Sequence, residues 1–396
     1  MKIRLRNAIL LILFFLLVFS GVYADEKLIF CETLIRHGDR TPYAEIKSTK
    51  ITYKWLQGTG ELTPIGMHQE FMLGSELRAR YVGKFKLLPP VYQDNTVYAL
   101  STDFNRTITS AVCLLAGLYP PGTGPRINND NPALPFAYQP IPVRTIPNGQ
   151  KNIINPTSEN LEKHGLLLKK YAYTQKAWQD ENVKFSADYK RWSKILGVNI
   201  NSLEDTLIPG DHINCMTIHN VPYPEGLTVD DAKKIVKARN RAAVIRYFSR
   251  EMTWFMTAGF FSRMMEDFNQ AMEGKQRYKF ILYSGHDDSL IAVMSSLNSP
   301  LEENPPYASH IDFELYQDDL KYRVRVRFNG EPVFLTGDKS RDFCTIEEFI
   351  NIIKPCIEAQ ISCVGTVRGI FGILPVEMRP YFFNNSAIAI RTAIFT

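Results

Sequence analysis

Arg36-His37-Gly38-Asp39-Arg40-Thr41-Pro42 follows directly on Lys-Leu-Ile-Phe-Cys-Glu-Thr-Leu-Ile, residues 27–35. The run before it is apolar at both alternating positions, the pattern of a strand covered on both faces. Its end therefore delivers Arg36 and His37 to the edge of a sheet. Two further segments read the same way. Residues 96–100 form a short strand that leads through Ser101 into Asn105-Arg106-Thr107 and a helix reaching about Leu118. Residues 278–284 form an apolar strand ending at Gly285-His286-Asp287, with a helix over 288–297. In an open α/β sheet, ligands bind outside the carboxyl ends of the strands. Three strand ends then bring together Arg36, Arg40, Arg106, His37 and His286, with Asp39 and Asp287 as acids. Arginine's planar fork suits an anion with several equivalent oxygens, so a phosphoryl group is the guest this chemistry favours.

The rest of the chain fits around that edge. Thr63 is the expected N-cap and Pro64 the first residue of a helix running to about Val82. Residues 119–125 (Tyr-Pro-Pro-Gly-Thr-Gly-Pro) break regular structure and mark a boundary. From 126 to 250 the strand pattern disappears, and helical stretches are expected near 157–182 and 228–250. Residues 251–272 carry Met and Phe at three- and four-residue steps, an amphipathic helix stopped by Gly274. Residues 311–316 and 322–328 read as a hairpin, and 345–361 as a last helix. The domain expectation is 25–125 with 251–363 as a discontinuous α/β unit, 126–250 as a mainly helical insertion, and 364–396 unassigned.

Those motifs give the chain a resemblance. Arg36-His37-Gly38-Asp39-Arg40-Thr41-Pro42 is similar to the RHGxRxP signature of the histidine acid phosphatases, and His286-Asp287 to that family's later His-Asp pair. Five fixed positions recur by chance in about one in ten thousand chains of this length. The resemblance, closest to bacterial relatives of the prostatic and lysosomal acid phosphatases, implies a mixed, mostly parallel sheet flanked by helices, phosphoglycerate-mutase-like, with a helical insertion. It also implies roles. His37 would be the nucleophile forming a phosphohistidine, Arg36, Arg40, Arg106 and His286 would hold phosphoryl oxygens, and Asp287 would protonate the leaving alcohol. Surrounding cations should keep His37 neutral in acid, and Asp287 must be protonated when substrate is bound. No metal or other cofactor is expected, because the arginines supply the positive charge and His68, His164, His212, His219 and His310 are not spaced as ligands. Asp39 is expected to orient its neighbours, and Tyr43 and the insertion to shape the leaving-group side.

Charge and cysteine content narrow the function classes. The chain has 396 residues and a formal net charge of +5. Lys2, Arg4 and Arg6 precede an apolar run from Ala8 to Phe19, which reads as a signal peptide (1–24) cleaved after Ala24, so a secreted or periplasmic protein with no stable membrane anchor is expected. Without that segment the basic excess is too small for nucleic-acid binding by bulk charge. The expected partner is a small phosphomonoester, with a homodimer left open. Cys31 and Cys113 read as packed core thiols. Cys344, Cys356 and Cys363 cluster, and a bridge among them is left open. A phytase is the nearest alternative activity, but the insertion lacks a dense Lys/Arg cluster at an evident pocket position. A phosphoglycerate-mutase-like transferase shares Arg-His-Gly alone, and a binding protein that keeps phosphate affinity without turnover is the alternative from another class.

Overall fold

The computed structural model describes residues 26–364 except 129–130, 156, 158–160 and 320. The expected leader and the tail beyond 364 lie outside the described residues.

The chain forms strand β1 (Lys27–Arg36), helix α1 (Pro64–Arg78), β2 (Val97–Thr102), α2 (Asn105–Leu118) and β3 (Val143–Ile146). Then follow α3 (Leu161–Leu167), α4 (Lys176–Leu196), α5 (Leu207–Ile218), α6 (Val229–Ile245) and α7 (Arg250–Met272). β4 (Phe280–Gly285), α8 (Asp287–Ser296), β5 (His310–Asp318), β6 (Lys321–Phe328), the short β7 (Glu331–Pro332) and β8 (Cys344–Thr345), and α9 (Ile346–Val364) complete it. One mixed sheet has the order β3-β2-β4-β1-β5-β6-β7, with β8 on β6. The β3-β2-β4-β1 half is parallel, and β5 onwards runs antiparallel. This is the expected α/β class, and Thr63 caps α1 by accepting the Gly66 N–H at 3.2 Å.

Both faces of the sheet are buried, as the apolar β1 run requires. Phe30 and Leu34 face α7, α8 and α9, against Phe261, Phe268, Leu290 and Phe349. Cys31 and Ile35 face α1 and α2, against Leu77, Tyr81 and Leu114. A register shift between Leu28 and Phe30 puts Leu28 on the Cys31 face despite the three-residue step. A separate core of Trp178, Trp192, Ile213 and Ile235 holds α4, α5 and α6 together.

The structure departs from the reading of residues 126–250 in three places. β3 is a strand within it, paired parallel to β2 from Ala99↔Val143 to Thr102↔Ile146. Its four residues sit between Pro142 and Pro147, and proline at the start of an edge strand removes no ladder bond. Helix α5 buries Asp211 and His212 along with Ile213 and Met216 while Ile208 and Ile218 are exposed, so it shows no apolar stripe to read. The helix expected over 228–250 stops at Ile245, and Ser249 starts α7 by accepting the Met252 N–H at 3.1 Å. Cys344 and Cys356 are free thiols, as are Cys31 and Cys113, and the Cys363 side chain lies outside the described ones. Among the described residues no helix is long and apolar enough to cross a membrane.

Candidate active site

Three parallel strands end side by side. Arg36 is in register with Gly285, and Ser101 with Ser284, so β1, β4 and β2 release their chains at one edge. The ladder continues one residue further, where the His37 N–H donates to the Gly285 carbonyl at 3.1 Å. Helices α2 and α8 begin just beyond β2 and β4, with Arg106 and Asp287 in their first turns. Their N-terminal dipole ends add positive potential at that edge.

The loop after β1 is held by a close backbone approach. A Cβ on Gly38 would lie 2.4 Å from the Gly66 carbonyl oxygen, and one on Gly66 would lie 2.1 Å from that of Asp39. Only two glycines allow the loop and the start of α1 to touch there. Asp39 accepts hydrogen bonds from Thr63 Oγ1 and, at 2.7 Å, from His219 Nε2. His212 donates through Nε2 to the Ala44 carbonyl at 2.9 Å. His212 and His219 of the helical segment therefore brace this loop.

His37 is buried, and its Nδ1 lies 2.8 Å from the Gly38 carbonyl. A carbonyl only accepts, so Nδ1 carries the proton. Burial first, then Arg106, Arg40, Arg36 and His286, hold the ring well below the usual histidine range. A neutral ring protonated at Nδ1 keeps its lone pair on Nε2. His286, 5.6 Å away between ring centroids, is depressed in the same way, chiefly by burial, and its Nε2 meets Thr102 Oγ1 at 3.0 Å.

Around these rings stand the three expected arginines. Arg36 donates to the Pro305 carbonyl, pairs with Asp287 at 3.0 Å and lies over the Tyr307 ring at 4.3 Å. Arg40 binds both oxygens of Asp211 at 2.9 and 3.0 Å. Arg106 lies over Phe104 at 4.6 Å, and burial and then Arg40 push it down to about 10. The Nε–H donors of Arg36, Arg40 and Arg106 are all buried without a hydrogen-bond acceptor. Three orphaned cationic donors in one cluster are what a bound oxyanion would satisfy. For Asp287, burial pushes upward, but Arg36, Arg239 and Arg40 together hold the carboxyl well below the usual range.

A cavity of about 1170 Å³ opens from this cluster, far larger than a phosphoryl group needs. Its near end includes His37, Arg40, Arg106, His286 and Asp287. Its far wall comes from Tyr43–Lys47 and the end of α4, with Lys47, Lys190 and Lys194. These lysines share the cavity lining with the acids Glu45, Glu204 and Asp205. Sequence reading also missed Asp211, Arg239 and Tyr307, which lie in stretches without strand-end signals, and Asp288, which directly follows the His286-Asp287 pair. Buried Asp211 beside Pro209-Gly210 was the one trace available. Among the described residues no group of three or more His, Cys, Asp and Glu is arranged to hold a metal ion.

Comparison with known proteins agrees with this geometry. The model of the histidine phosphatase superfamily (branch 2) matches residues 27–263 and 249–329. The lysosomal acid phosphatase of Xenopus laevis is 30% identical over 372 residues, covering 88% of this chain and 81% of that one. The prostatic acid phosphatase of Bos taurus is 28% identical over 386 residues, covering 92% and 94%. Among solved structures, the Hafnia alvei phytase in complex with myo-inositol hexakis sulphate superposes with TM-score 0.61 at 15% identity, covering 84% of this chain and 99% of that one. That likeness is one of fold.

Proposed function

From the premise that the chain belongs to branch 2 of the histidine phosphatase superfamily, we propose that it is an exported acid phosphatase hydrolysing phosphate monoesters through a phosphohistidine at His37. The observation that carries this reading is the trio of buried, unsatisfied guanidinium donors on Arg36, Arg40 and Arg106 beside a neutral imidazole.

In the first half-reaction His37 Nε2 attacks phosphorus, the bond to the alcohol oxygen breaks, and that oxygen takes a proton from Asp287. In the second, water attacks the phosphohistidine and returns a proton to Asp287, and phosphate leaves. Arg36, Arg40, Arg106 and His286 hold the phosphoryl oxygens and oppose the charge that builds on them. Splitting the displacement in two is ordinary covalent catalysis. Arg36, Arg239 and Arg40 keep Asp287 ionised, so one proton must enter with each substrate, on the ester itself or on Asp287. Both routes favour acid pH. Residues 25–125 and 251–363 would carry the chemistry, with 126–250, less the edge strand β3, forming the leaving-group wall. Lys2, Arg4, Arg6 and the apolar run after them support export.

Lys47, Lys190 and Lys194 on the far wall favour a second reading, in which the leaving group carries further anionic groups, as a phytase substrate does. Phosphate release from p-nitrophenyl phosphate at about pH 5 tests the function. Turnover supports it, whereas phosphate binding without turnover would leave a binding protein.

A further inference from the structure

Arg40, Asp211, Arg239, Asp287 and Arg36 form one continuous chain of alternating charge. Arg40 binds Asp211 through both nitrogens of its fork, and Asp211 Oδ2 also accepts the Tyr43 N–H at 3.1 Å. Arg239 Nη2 reaches Asp211 Oδ1 at 3.3 Å and Asp287 Oδ2 at 3.5 Å. Arg36 closes on the same Asp287 oxygen at 3.0 Å. Asp211 is 1% exposed and Arg239 5%, so neither is a surface pair screened by water. The contact between their helices is tight: a Cβ on Gly210 would lie 2.5 Å from Arg239 Cβ. Burying an unpaired charge costs several kcal/mol, so an aspartate and an arginine at this depth are held by their partners.

The couple lies on α5 and α6, apart from the strand ends that carry the expected site residues. With Arg106, this chain of contacts holds four guanidinium groups and two carboxylates. The two positive charges left over favour an anionic substrate at this edge.

Resting on the phosphatase reading, we propose that Asp211 and Arg239 are positioning residues of the site: Asp211 aims Arg40 at the phosphoryl oxygens, and Arg239 fixes the Asp287 carboxyl and governs its proton. Asp287 is faced by Arg36 from β1, Arg40 and His37 from the following loop, Arg106 from α2, Arg239 from α6, and Asn304 at 3.4 Å. His286 precedes it at the start of its own helix, Asp288 follows it with a second carboxyl, and Tyr247 lies beside Asp288. Among these, Arg239 is the cation that the expected signature residues do not include. Removing a cation from beside a carboxylate raises the pH at which it gives up its proton.

The test is the pH profile of kcat with an alkyl phosphate. Arg239→Met should move the alkaline limb upward by about one pH unit, the size of a tenfold change in proton affinity. Arg239→Lys, which keeps the charge but not the fork, should fall between it and the wild type. Asp211→Asn should instead raise KM by about tenfold or more, because Arg40 loses a bidentate partner. An unmoved limb in Arg239→Met, or an equal loss at every pH, would overturn the assignment. If Arg239→Met does not fold, the Lys variant and Asp211→Asn decide it, and wild-type limb and KM in both would overturn it. Absence of turnover in the wild type would sink the phosphatase reading and is scored separately.

Discussion

Arg36 and Asp287 meet at 3.0 Å across the ends of two adjacent parallel strands, where Arg36 is the register partner of Gly285. The pair joins a phosphate-clamp arginine to the proposed proton donor, and it holds the donor ionised. In the proposed reaction a bound phosphoryl group adds negative charge next to that carboxyl and competes for Arg36. Protonation of Asp287 is therefore tied to substrate binding.

Asp287→Asn should leave phosphate binding largely intact while lowering kcat, because an amide cannot protonate a departing alkoxide. The loss should be near 10²–10⁴-fold for an alkyl phosphate and much smaller for p-nitrophenyl phosphate, roughly the worth of general-acid help. Equal losses on both substrates would remove Asp287 as the donor.

EDTA should leave activity intact. The charge on the transferring group is opposed by Arg36, Arg40 and Arg106, whose buried Nε–H donors are in place. Loss on chelation followed by recovery with a divalent metal would contradict the arginine clamp.

Lys190→Ala with Lys194→Ala should lower the kcat/KM ratio of a sugar bisphosphate to p-nitrophenyl phosphate. Both side chains are exposed on the far wall, so about 0.2–1 kcal/mol each is expected, a several-fold change that shrinks with salt. An unchanged ratio would withdraw the second-anion reading.

Glu32 on β1 and Glu70 on α1 are fully buried. Burial pushes both well above the usual range, aided at Glu32 by Asp267 and opposed there by Arg263 and at Glu70 by Ser110. A carboxyl raised in the folded state stabilises fully below its unfolded value of about 4.3 and loses that contribution as pH climbs through the folded value. Tm should therefore fall as pH rises above about 4.3, and Glu70→Gln should flatten the fall. The same slope in the variant would clear Glu70 of that role.

Much of this was legible in the sequence because strand ends are local. An apolar run stopping at Arg36-His37 or at His286-Asp287 states both the strand and the edge it feeds. Capping by Thr63 and Pro64 is equally local. What escaped was set by packing between distant segments. Asp211 and Arg239 meet Arg40 and Asp287 only once α5 and α6 fold over the edge, and Lys47 and Lys190 come to line one cavity only in the folded chain. β3 escaped for a different reason, since four residues between prolines are too few to show alternation.

The central claim is that phosphorus passes through His37, and trapping the intermediate tests it most directly. Wild-type enzyme mixed with labelled phosphomonoester and quenched should carry one acid-labile, base-stable phosphate, on His37, and His37→Ala should carry none and turn nothing over. Label on a serine or an aspartate, or undiminished labelling of His37→Ala, would contradict the account.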